Sequence, residues 1–63
     1  MTLKEAQEKE VRIIMLDGQV FEGYAYDYTS ALDNDPDPES ITIDSIELYA
    51  PEIRRIEILA DNL

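Results

Sequence analysis

Apolar and polar residues alternate with period two over most of this chain, and the period breaks where turn-forming residues stand. Residues 11–16 put Val11, Ile13 and Met15 on one face, and Arg12, Ile14 and Leu16 on the other. Apolar residues on both faces predict a strand covered at least in part from both sides. Asp17-Gly18 follows, a pair suited to the positive φ values of a tight hairpin turn. The returning arm, residues 19–28, sets Val20, Glu22, Tyr24, Tyr26 and Tyr28 on one face against Phe21, Gly23 and Ala25. A glycine inside a strand marks a bulge or sharp bend, so the arm is expected to turn at Gly23. The aromatics of this arm predict core and cross-strand packing. Stacking on nucleobases is their alternative use.

On the N-terminal side, Thr2 and Glu5 have the spacing of a capping box, and Leu3 and Ala6 share one face of a helix over residues 3–10. A helix this short needs packing against the sheet to persist. Residues 29–40 read as a loop, with two prolines and four acids that suit neither helix nor inner strand. Short strands are expected over 41–44, 46–50 and 53–59, separated by Asp44-Ser45 and by Ala50-Pro51, with a tail over 60–63. No crossover helix separates any of them. The expectation is one all-β domain over residues 1–63: a small, strongly bent five-stranded antiparallel barrel with a short N-terminal α-helix.

Composition narrows the ways such a domain can be stabilised. A 63-residue chain buries only about 60% of the surface its unfolded form exposes. With neither Cys nor His in the sequence, tight β closure and self-association are the expected reinforcements. The formal net charge is −10, from 15 acids and 5 bases. Such a field repels phosphate backbones and anionic membranes. No apolar stretch is long enough to span a bilayer, and the first ten residues lack the apolar core of a signal peptide, so a cytoplasmic location is expected.

The central hairpin resembles the first half of the Sm-like (LSM) family motif through Val11, Ile13, Leu16, Asp17-Gly18, Phe21, Gly23 and Ala25. Ile53 and Ile56 resemble the end of its second half, and the resemblance covers roughly residues 3–59. SH3-like barrels use similar hairpins and stand as the alternative fold. The Sm-like resemblance implies a ring in which the fourth strand of one subunit pairs with the fifth of the next. In many members it also implies U-rich or A-rich RNA at the inner rim. The family's Asp, stacking residue and Asn of the first half fall here on Thr29, Ala31 and Asp33, with Asp27 two residues early and Asn34 one late. Its Arg-Gly pair falls on Tyr49-Ala50, which removes the cation that packs on the base. The contacts the resemblance leaves for RNA or another ligand are Tyr28, Asp33, Asn34 and Tyr49.

Other constellations are thinner. Asp33, Asp35, Asp37 and Asp44 have calcium-loop spacing, but Pro38 stands where such a loop turns on glycine. A solvated acidic loop is the reading adopted, with no metal or other cofactor. Thr29 and Ser30 have no His base, and Lys4 and Lys9 lie in the polar first segment, so no catalytic site is expected. Arg54-Arg55 beside Glu52 and Glu57 reads as a charged face or as rim pairs between subunits. The functional expectation is a noncatalytic Sm-like assembly or protein-interaction module, homo-oligomeric through its outer strands and suited to a basic protein partner. The alternative is a divergent RNA-binding Sm-like protein that stacks bases on Tyr24, Tyr26 or Tyr49.

Overall fold

The computed structural model describes residues 2–61. A short helix, α1 (Leu3–Ala6), precedes β1 (Lys9–Met15) and β2 (Val20–Thr29). A second short helix, α2 (Ala31–Asn34), interrupts the acidic loop. Next come β3 (Ser40–Ile43), β4 (Ile46–Tyr49), a 3-10 turn over Ala50–Glu52 and β5 (Ile53–Asp61). The five strands form one antiparallel sheet in the order β4-β3-β2-β1-β5.

The capping box is present: Glu5 N–H donates to Thr2 Oγ1 at 3.2 Å, and Thr2 N–H donates to Glu5 Oε1 at 2.8 Å. The helix nevertheless ends at Ala6 rather than Glu10. Glu8 takes φ +66, and its N–H donates to Ala25 O at 2.7 Å. Lys9 and Glu10 then pair opposite Asp61 and Ala60. One more turn of an already marginal helix loses to backbone bonds on a preformed sheet. The same pairing draws Ala60 and Asp61, expected in the tail, into β5; residues 62 and 63 lie outside the described residues.

Alternation in β1 settles the inner face. Val11, Ile13 and Met15 are buried with Leu3, Ala6, Ala25, Ile41, Ile43 and Leu48. On the outer face Ile14 is half-buried and Leu16 exposed. The two tight turns exchange roles relative to expectation. At Asp17-Gly18 only Gly18 has positive φ (+92), and Gly18 N–H donates to Met15 O at 3.0 Å, with Asp17 Oδ1 accepting from Gln19 N–H. The paired positive φ of a primed hairpin turn occurs instead at Asp44 (+51) and Ser45 (+67), between Ile43 and Ile46.

Gly23 bends β2 as expected. Its φ is +157, and a Cβ there would stand 3.1 Å from Ile43 Cγ2, so the bend lets β3 close in. A second irregularity follows at Asp27, with φ +53, where the β2–β3 register shifts between Tyr26 and Thr29. That bulge resets the alternation. Tyr28 therefore leaves the outer row of Tyr24 and Tyr26 and packs against the core.

The all-β class stands, but the sheet does not close into a barrel. Among the described residues β4 pairs only with β3 and β5 only with β1. The connection between them is the Pro51-containing 3-10 turn, held by Leu16 N–H to Glu52 O (2.8 Å) and Ala50 N–H to Glu39 O (2.9 Å).

Candidate functional site

The acidic loop is a folded element. Ser30 caps α2, its Oγ accepting from Asp33 N–H at 3.2 Å. Asn34 N–H donates to Ser30 O, and Asp37 N–H to Asn34 O. The Asn34 side-chain amide then reaches Pro38 O at 2.8 Å and Ser40 Oγ at 3.4 Å. Ser and Asn suit these positions because short polar side chains hydrogen-bond nearby backbone.

Two carboxylates anchor the loop to the sheet. Glu39 accepts from the Tyr28 hydroxyl at 2.5 Å. Glu47, on β4, accepts from Ser40 Oγ at 2.6 Å and from the Tyr49 hydroxyl at 2.9 Å. Tyr49 stands opposite Ser40 in the β3–β4 ladder, so one hairpin sets both donors around one carboxylate. The Ser40 hydrogen bond, then that of Tyr49, holds Glu47 below the usual carboxylate value. The bonds to Glu39 and Glu47 hold the Tyr28 and Tyr49 hydroxyls above the usual phenol value.

Tyr28, Asn34 and Tyr49 thus belong to one bonded region, with their donors spent on the chain's own oxygens. Asp33 is exposed on α2 and contributes its backbone N–H to the cap. Asp17, Gly18 and Gly23 lie away from the loop and shape the hairpin. Ser40 and Glu47, which complete the network, are not among the sequence candidates, and Glu39 is there only as one of the loop's four acids. The Asp44-Ser45 turn was the signal that could have located Ser40 and Glu47, because a two-residue turn there fixes Thr42 opposite Glu47 and Ser40 opposite Tyr49.

The charged side chains that the loop itself exposes are carboxylates, with Arg54 and Arg55 of β5 lining a neighbouring cleft beside Glu39. Asp33, Asp35 and Asp37 are exposed, and a cleft of about 290 Å³ is lined by Asp37, Pro38, Tyr49, Pro51 and Glu52. Among the described residues, no three carboxylates converge to hold a metal ion. No family model, curated protein or solved structure matches this chain. What the chain offers a partner is its own surface.

That surface has two further features. Each open sheet edge carries an exposed aliphatic residue, Ile46 (46%) on β4 and Leu59 (47%) on β5. Beside β4, a concavity of about 340 Å³ has Met15, Phe21 and Leu48 among its apolar lining and Asp17 and Glu52 among its polar lining. No helix among the described residues is long and apolar enough to cross a membrane.

Proposed function

We propose that the chain is a noncatalytic Sm-like assembly module that adds strand to strand, β4 of one copy against β5 of the next, and offers an acidic surface to a basic protein. The carrying observation is that β4 and β5 terminate the sheet, each unpaired on its outer side and each bearing an exposed aliphatic residue. The Sm-like resemblance assigns these same two strands to the subunit interface. Unpaired edges are ready templates for another strand, and on β5 the regular stretch is 55–58, between the two register shifts of its pairing with β1. Rim donors engaged by Glu39 and Glu47, with Asp33, Asp35 and Asp37 facing solvent, favour a basic protein over RNA.

Sedimentation equilibrium across a range of protein concentrations tests this. The wild-type chain should sediment as a multiple of 7.2 kDa. Ile46→Lys and Leu59→Lys should each yield a folded monomer. A wild-type chain that stays monomeric into the high micromolar range refutes the assembly.

A further inference from the structure

Tyr24 and Tyr26 lie on the outer face of β2 with ring centroids 6.5 Å apart and planes inclined by 17°. The Tyr26 hydroxyl accepts from Ser45 N–H at 3.3 Å, which fixes that ring, while Tyr24 is 41% exposed. Glu10 stands directly opposite Tyr24 across the β1–β2 ladder, so the two side chains emerge on the same face. Beyond Glu10 in the same row comes Ala60 of β5, too small to cover either. Among the described residues the Glu10 side chain has no hydrogen-bond or ion-pair partner, its backbone being held in the ladders to β2 and β5.

The charges around this platform are one-sided. Glu22 and Glu10 flank Tyr24 in the outer rows of the hairpin. Glu47 lies beyond Thr42 in the row that starts at Tyr26. Arg12, two residues from Glu10 on β1, is already engaged by Glu22 and Glu57. An exposed aromatic face beside an unmatched carboxylate attracts a planar cation and repels a phosphate. Arginine suits it better than lysine, since a guanidinium stacks on a ring and pairs with a carboxylate at once.

We propose that Tyr24, Tyr26 and Glu10 form the docking surface for an arginine-bearing segment of a basic protein, the guanidinium lying on Tyr24 and pairing with Glu10. This names the partner-reading surface of the acidic module proposed above, and it does not require self-association.

The test titrates the full chain with a short unstructured peptide carrying several arginines, followed by amide and tyrosine-ring NMR shifts near physiological salt. Parallel titrations use the peptide with lysine or with neutral citrulline at those positions, and a U-rich oligonucleotide. The expected result is saturable binding of the arginine peptide with shifts centred on Tyr24, Tyr26 and Glu10. Lysine should bind more weakly and citrulline not measurably. Tyr24→Leu and Glu10→Gln should each weaken binding roughly three- to fivefold, whereas Tyr24→Phe retains it. Equal binding of both cationic peptides, indifferent to these substitutions, would reduce the effect to diffuse attraction by net charge and overturn the proposal. So would preferential binding of the oligonucleotide at the tyrosines. Sedimentation of the same samples reports assembly separately, so failure of either idea is visible without the other.

Discussion

The Tyr28 hydroxyl and the Glu39 carboxylate meet at 2.5 Å across the acidic loop, joining the end of β2 to the residue just before β3. The bond exists only while the phenol keeps its proton, and it raises the pKa of Tyr28; the partner carboxylate Glu47 does the same to Tyr49. A folded pKa above the unfolded value of about 10 means stability that is complete below that pH and lost as pH rises through the folded value. Alkaline titration of tyrosinate absorbance should show both groups ionising late, together with loosening of residues 29–40 in hydrogen exchange. Tyr28→Phe should remove one late-ionising group, and Tyr49→Phe the other.

Glu47 gives the opposite limb. Its folded pKa lies below the ordinary carboxylate value, chiefly through the Ser40 hydroxyl. Its contribution is therefore present above the unfolded value and disappears as pH falls through the folded one. Urea midpoints measured from neutral pH into the acid range should fall less steeply for Glu47→Gln than for the wild-type chain. Equal acid slopes in the two proteins would remove Glu47 from the acid response.

Burial is a property of single side chains, and that is why period two was legible: Val11, Ile13, Met15, Ala25, Ile41 and Ile43 are inside as their alternation implies. Conformations imposed by a partner strand were not legible. Asp27 adopts φ +53 because β3 joins β2 with a shifted register, and nothing in Tyr26-Asp27-Tyr28 announces that shift. Tyr28 changed faces as a consequence. The end of α1 was hidden for the same reason, since Glu8 N–H finds its acceptor on Ala25, seventeen residues away. Of the candidate site, side-chain identities were readable at Tyr28, Asn34 and Tyr49, but their acceptors depended on how β3 and β4 align.

The two glycines of the hairpin should respond differently to substitution. Gly18 has φ +92 with open space where a Cβ would stand, so Gly18→Ala should destabilise by about 1–2 kcal/mol through conformation alone. Gly18→Asn should recover much of that, since Asn tolerates positive φ. At Gly23 a Cβ meets Ile43 Cγ2 at 3.1 Å as well as an unfavourable φ, and buried, β-branched Ile43 has little rotamer freedom to yield. Gly23→Ala should therefore lose roughly 2–4 kcal/mol. Chemical denaturation that ranks Gly23→Ala as the milder change would show that β3 does not press on the bend.

Arg12 joins three strands on the outer face of the sheet. Its guanidinium contacts Glu22 of β2 at 2.5 Å and Glu57 of β5 at 3.0 Å, and Arg55 adds a second contact to Glu57 at 3.1 Å. Glu22 and Glu57 flank Arg12 in one cross-strand row, so removing the cation leaves Glu22 without its ion pair and Glu57 with Arg55 alone, two carboxylates in one row with no cation between them. Arg12→Gln should then destabilise through like-charge repulsion more than through the lost hydrogen bonds. Two observations separate these causes. Repulsion is screened, so the deficit in thermal midpoint should shrink as salt rises toward 1 M, where the Debye length is only about 3 Å. Repulsion also needs both carboxylates, so adding Glu22→Gln to Arg12→Gln should restore part of the loss. A deficit unchanged by salt and by the second substitution would instead assign the role of Arg12 to its aliphatic stem rather than to its charge.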